Sequence, residues 1–311
     1  MIRRFASGIA CVLVLAAAPA VQAGDKSFDA GGVKIRYTDQ GQGEPVVLVH
    51  GFGVNLEMQW DLPGIIKALS KDHRVIALDV RGHGKSGKPH DPRKYGAEMA
   101  EDVVRLLDHL KIKKAHVVGY SMGAMITARL LVAHPERLLT ATLGGAGPAR
   151  QGDPERARLV ERITDSLEQG KGIGPLIEAL TPAGKPKPSP EQIEAINKFF
   201  TERNDTKALV AVARSWKGLE VSDKELQANR VPVLALIGKD DPLKKGVDEV
   251  QGRLARLRVV VVPGDHITAF AQPEFLRALR AFLDEHGAGG KRRAAPAGAG
   301  RGGPLIPDPG P

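Results

Sequence analysis

A serine set between two glycines, Gly119-Tyr120-Ser121-Met122-Gly123, is the group in this chain best placed to act as a nucleophile. The pattern is G-x-S-x-G. A short β-branched run, His116 to Val118, precedes it, and an apolar stretch with helical spacing, Met122 to Ala133, follows it. A strand that turns sharply into a helix lifts a serine hydroxyl clear of the backbone, and Gly119 and Gly123 are needed where side chains would strike neighbouring main chain. Five residues of this kind recur by chance, so the flanking strand and helix carry the assignment. A serine hydroxyl is also a weak nucleophile at neutral pH. It needs an imidazole to take its proton and a carboxylate to orient that imidazole. Nine histidines compete for the first part.

With the elbow in this setting, the chain resembles the α/β-hydrolase superfamily over roughly Phe28 to His286, and other motifs share the likeness. His50-Gly51-Phe52-Gly53 follows the run Val46 to Val49, where this family keeps a loop that donates one oxyanion N–H. The resemblance implies that the N–H groups of Phe52 and Met122 form the hole, since charge developing on a tetrahedral oxygen needs fixed donors. Asp79-Val80-Arg81-Gly82-His83-Gly84-Lys85-Ser86 is similar to the family's D-x-R-G-x-G-x-S loop and is expected to be structural. His266, in Pro263-Gly264-Asp265-His266 ahead of the last helix, falls where the family carries its catalytic histidine. Gly238-Lys239-Asp240-Asp241-Pro242 resembles the loop that carries the acid, which makes Asp241 the choice and Asp240 the fallback. The order Ser, Asp, His is the one expected for such a fold. Asp265 is read as a surface carboxylate, because adjacent loop residues seldom point together. His50, His83, His109, His116 and His134 are read as packing or surface groups.

Gly82 to Lys88 also invites a nucleotide-binding reading, because it satisfies G-x-G-x-x-G after a strand and nearly spells a Walker A. Pro89 stands where a magnesium-binding Ser or Thr is required, and Pro92 delays any helix that could present its N-terminus to phosphate. No H-E-x-x-H, paired-carboxylate or cysteine motif points to a metal, and no cofactor is implied.

The elements that must hold these groups are legible as alternating strands and helices, the signature of a parallel sheet. Strand-like runs are Val46 to Val49, Arg74 to Leu78, His116 to Val118, Leu139 to Leu143, Val233 to Ile237 and Arg258 to Val262. Helical stretches are Glu98 to Leu110, Met122 to Ala133, Val247 to Leu257 and Glu274 to Glu285. Lys34 to Thr38, with the turn Gly41-Gln42-Gly43, reads as an antiparallel edge hairpin leading into the first buried strand. The fold class is therefore α/β, a mixed but mostly parallel sheet with flanking helices. From about Pro148 to Asn229 no buried strand is visible, only Pro154 to Gln169, Pro190 to Glu202 and Thr206 to Trp216 as helices. A crossover needs one helix and this interval offers three, so it reads as a helical lid inserted in the sheet.

The chain has 311 residues, of which 42% are hydrophobic and 26% charged, enough for one large core. Aromatic residues at 4% leave no basis for a nucleic-acid stacking platform. Arg3 and Arg4, the apolar run Ile9 to Ala18 and Val21-Gln22-Ala23 match a cleaved export signal, too short to span a bilayer. The paired arginines lack the fuller twin-arginine motif, so the general route is expected. The single cysteine, Cys11, falls within that leader, so the mature chain would carry no thiol. From Gly287 the chain is Gly, Ala and Pro with Lys291, Arg292, Arg293 and Arg301, a solvated basic tail that accounts for part of the net charge of +9. The expected organisation is a signal over 1–23, hydrolase core over 24–147 and 230–286, lid over 148–229 and tail over 287–311.

The likeness implies attack of Ser121 on a carbonyl of a small ester-like substrate, an acyl-enzyme and release by water, in a periplasmic or secreted protein. No stable membrane insertion after signal cleavage and no nucleic-acid partner is expected. A serine in place of an aspartate argues against epoxide hydrolases and haloalkane dehalogenases, whose alkyl-ester intermediates need a carboxylate. Carbon–carbon bond hydrolysis, perhydrolysis, lyase or acyltransferase chemistry, or a non-catalytic binding role on the same scaffold, are the alternatives.

Overall fold

The computed structural model describes residues 24–287. The expected signal over 1–23, with Arg3, Arg4 and Cys11, and the basic tail beyond Gly287 lie outside the described residues.

Stiff β-branched side chains favour a pleated, packed surface, and the Val- and Ile-rich runs form strands accordingly. The strands are β1 (Lys26–Asp29), β2 (Lys34–Gln40), β3 (Glu44–Val49), β4 (His73–Leu78), β5 (Ala115–Tyr120), β6 (Leu138–Gly144), β7 (Val233–Gly238) and β8 (Leu257–Val262). The α-helices are α1 (Ile65–Leu69), α2 (Ala97–His109), α3 (Met122–Ala133), α4 (Pro154–Glu168), α5 (Gly174–Ala179), α6 (Pro190–Arg203), α7 (Thr206–Arg214), α8 (Asp223–Ala228), α9 (Lys244–Asp248) and α10 (Pro273–His286). One eight-stranded sheet has the order β1-β2-β4-β3-β5-β6-β7-β8, with β3 to β8 parallel and the β1–β2 and β2–β4 pairings antiparallel.

The central strands alternate their side chains between two apolar layers. Val47 and Val49 of β3 face α2 and α3, in the layer holding Val103, Leu106, Ile126 and Leu130. Val46 and Leu48 face α1 and α10, in the layer holding Ile66, Leu69, Phe275 and Leu279. Burying each such side chain contributes about 1.5–3 kcal/mol, and both faces must be covered for these strands to be stable. After β3 the chain runs outward to β4, then returns to place β5 on the other side of β3. Loops leaving the carboxyl ends of β3 and β5 therefore diverge, and a crevice at such a reversal is where open α/β sheets seat their chemistry.

Two expectations need correction. Lys34 to Thr38 does not form a hairpin with the first buried strand; β2 pairs with β1 and β4, and β4 stands between β2 and β3. Val46 to Val49 is buried throughout and needs a parallel strand on each side, which a hairpin partner at the edge would have displaced. The helix expected over Val247 to Leu257 is instead the short α9, which ends at Asp248 and gives way to turns, and Gly252 at φ +82° keeps a helix from resuming before β8. Between β6 and β7 lie α4 to α8, two helices more than the spacing revealed. Prolines at the first turns of α4 and α6 and side-chain caps from Asp153, Ser189, Asp205 and Ser222 start four of these five.

Candidate active site

The turn from β5 into α3 forces Ser121 to φ 56° and ψ −115°, a region that residues with a side chain seldom occupy. Among the described residues Lys111 is the only other non-glycine with positive φ. The glycines on either side are steric requirements. A Cβ on Gly119 would lie 2.0 Å from the Gly123 carbonyl oxygen, and one on Gly123 would lie 2.1 Å from that of Val49. The Ser121 N–H donates to the Gly144 carbonyl at 2.8 Å, which ties the elbow to β6.

His266 reaches this serine from the loop after β8, 145 positions along the chain. Its Nε2 is 3.0 Å from Ser121 Oγ, and its Nδ1 is 2.9 Å from Asp241 Oδ2. The Asp241 side chain is fully buried and its Oδ1 accepts the Leu243 N–H at 2.9 Å, whereas Asp240 is exposed. An ionised carboxylate only accepts, so the Nδ1 proton points at Asp241 and Nε2 presents a lone pair to the serine hydroxyl. That arrangement can take the serine proton as Oγ attacks a carbonyl. Asp265 does not join it: its Oδ1 accepts the Ile267 and Thr268 N–H groups and the Thr268 hydroxyl, which shapes the turn that carries His266.

The loop after β3 lies against the serine, since a Cβ on Gly51 would meet Ser121 Cβ at 3.3 Å. Among the described residues no hydrogen bond occupies the N–H of Phe52 or that of Met122, the first residue of α3. The loop is braced from below by His50. Its Nε2 accepts the Val80 N–H at 3.0 Å, so the proton is on Nδ1 and is donated to the Gly51 carbonyl at 2.8 Å. Burial lowers the pKa of His50 and, with His50 beside it, pushes that of His83 down to about 3, so both rings stay neutral. The helical insertion braces the loop from the other side. Phe52 packs edge-on to Trp216 at 5.1 Å and against Phe200 at 6.2 Å, and Asn204 Nδ2 donates to the Gly53 carbonyl at 3.1 Å.

The Asp79 to Ser86 loop bonds inward. Asp79 accepts the N–H groups of Leu56 at 3.0 Å and Lys85 at 2.8 Å, and Ser86 Oγ donates to the Asp79 carbonyl at 2.6 Å. Arg81 forms a buried two-point pair with Asp102, at 2.6 Å and 2.5 Å. Nothing in the sequence pointed to Asn204 or Phe200, which lie in the insertion far from any motif. Tyr120 stood in the elbow, but no pattern indicated the contact its hydroxyl makes. Among the described residues no group of three or more His, Cys, Asp or Glu could hold a metal ion.

A family model described as the alpha/beta hydrolase fold matches residues 44–165. The 2-hydroxy-6-oxo-6-(2'-aminophenyl)hexa-2,4-dienoic acid hydrolase of Metapseudomonas resinovorans is 30% identical over 233 residues, which cover 70% of this chain and 74% of that protein. The 3-oxoadipate enol-lactonase 2 of Acinetobacter baylyi is 28% identical over 267 residues, 81% of this chain and 93% of that protein. A solved structure, a thermophilic esterase from Thermogutta terrifontis, matches with a TM-score of 0.66 and 26% identity over 85% of this chain and 100% of that one.

Proposed function

The chain belongs to the α/β-hydrolase family, and from that premise we propose that it is an exported serine hydrolase of carboxylic esters, with Ser121 as nucleophile, His266 as general base and Asp241 as the orienting acid. The observation that carries this reading is the unbroken pair of contacts through His266, 3.0 Å to Ser121 Oγ and 2.9 Å to Asp241 Oδ2.

The chemistry follows from the contacts. Ser121 Oγ bonds to the substrate carbonyl carbon while its proton passes to His266 Nε2, and the Asp241 carboxylate stabilises the resulting imidazolium. The carbonyl oxygen becomes an oxyanion facing the Phe52 and Met122 N–H groups. Collapse breaks the ester C–O bond, and the leaving alkoxide takes the proton from Nε2. Water then attacks the acyl-enzyme with His266 again as base, which releases the carboxylic acid and restores the serine. No oxidant, metal or cofactor enters this balance. Likeness to an esterase and to a lactonase supports an ester-type bond. A second reading, carbon–carbon bond hydrolysis of an oxo-dienoic acid, is favoured by the likeness to the Metapseudomonas enzyme.

One experiment tests these points together: p-nitrophenyl ester turnover across acyl lengths, beside Ser121→Ala, with intact mass before and after a fluorophosphonate probe. Turnover, one probe adduct that Ser121→Ala abolishes, and a mature mass beginning at Gly24 are expected. Full turnover by Ser121→Ala would overturn the nucleophile assignment; a retained leader would overturn export by cleavage. Labelling without ester turnover would favour the carbon–carbon reading.

A further inference from the structure

Tyr120 occupies the variable position before the serine, and its side chain is 2% exposed. The ring lies under the site, edge-on to Phe270 at 5.2 Å and to Phe275 at 6.0 Å, with its centroid 5.5 Å from that of His266. Its slot is opened by Gly144, the last residue of β6, and Gly145 just after it: a Cβ on Gly144 would lie 2.7 Å, and one on Gly145 2.5 Å, from ring atoms of Tyr120. At the far end of the ring the hydroxyl donates to the main-chain carbonyl of His266 at 2.8 Å. A phenol has one proton, so this bond commits it, and Tyr120 has none left for an oxyanion.

We propose that Tyr120 is a positioning residue, whose hydroxyl anchors the His266 main chain from beneath and so holds Nε2 on Ser121 Oγ. The inference rests on the serine-hydrolase reading. The outer side of the loop has no comparable support, since Ile267 beside the histidine is 63% exposed. The loop is also held by its short-range bonds to Asp265 and by the Asp240 N–H on the Gly264 carbonyl at 3.0 Å, but among the described residues none of these bonds reaches the His266 carbonyl. The imidazole is held at Nδ1 by Asp241, but that bond leaves the ring free to tilt if its backbone moves. A displacement of about 1 Å in a reacting group can cost on the order of 10²-fold in rate. Burial, with Asp241 and Asp265 nearby, holds the phenol pKa well above its ordinary value, so the donor keeps its proton throughout the working range.

Tyr120→Phe removes the hydroxyl and keeps the ring in its slot. Three quantities are read: kcat and KM on a p-nitrophenyl ester, the rate of fluorophosphonate capture per folded molecule, and the downfield proton resonance of the His266 Nδ1–H. Expected are a roughly 10-fold loss in both kcat and capture rate, an unchanged KM, and a broadened resonance. The urea midpoint of Tyr120→Phe, measured beside these, separates a folding defect from a positioning defect. Wild-type kcat and capture rate in Tyr120→Phe would overturn the proposal. So would a loss accounted for entirely by a smaller folded fraction. Ser121→Ala run in parallel separates the two readings. If it is inactive while Tyr120→Phe is normal, only the positioning role falls; if it still turns over, the serine reading falls and takes this inference with it.

Discussion

Two neighbouring aspartates, Asp240 and Asp241, have the same side chain and opposite fates. Asp241 is buried against His266 and accepts the Leu243 N–H, while Asp240 is exposed. Under the proposed chemistry, Asp241→Asn puts an amide where a carboxylate must accept the Nδ1 proton and favours the wrong imidazole tautomer. A fall in kcat of about 10⁴-fold is expected, with Asp240→Asn close to wild type. Steady-state rates of the two variants check this, and the reverse ranking would mean that the other aspartate is the acid. The strained serine was legible from its motif, because the sterics of Gly119 and Gly123 are local. The choice between two adjacent carboxylates was not, since it depends on which one the chain buries.

Element by element, the loops that carry no chemistry explain the rigidity of those that do. Arg81 is 1% exposed and its guanidinium also reaches the Lys94 and Ala30 carbonyls, so it joins the loop after β4 to α2 and to the edge of the sheet. Arg81→Ala takes the two-point partner from buried Asp102 and leaves it only the half-buried Arg105 at 3.2 Å, so a loss of about 3 kcal/mol is expected, read as a lower urea midpoint. Arg93→Ala, which removes an exposed pair with Asp91, should leave that midpoint unchanged. The insertion helices were legible where prolines and capping residues mark their starts, as at Pro154 and Pro190. The short α5 and α8 were hidden because a helix of six residues shows too little of the helical period to be told from a turn.

For the molecule as a whole, three buried histidines set a pH limit. Burial lowers the pKa of His50, His83 and His116, and His83 is pushed from 6.5 down to about 3. The unfolded chain therefore binds protons in a range where the folded protein does not, and folding stability falls as pH drops from 6.5 toward 3. The slope is at most about 1.4 kcal/mol per pH unit for each such group, so urea midpoints should decline steadily between pH 6.5 and 4; a flat profile would remove these histidines from the account. Sequence alone determined the α/β class, the central strands and the elbow at Ser121, because side-chain period and glycine sterics act within a few residues; the choice of the His266 loop came from the family resemblance. It misread β2 as the hairpin partner of β3, since strand order depends on what covers each face of the sheet. Tertiary structure decided the order of the strands, the burial of Asp241, and the bonds that join His266 to Ser121 and to Tyr120 across 145 and 146 positions. Contacts over such separations are set by how the whole sheet closes, and no local pattern records them.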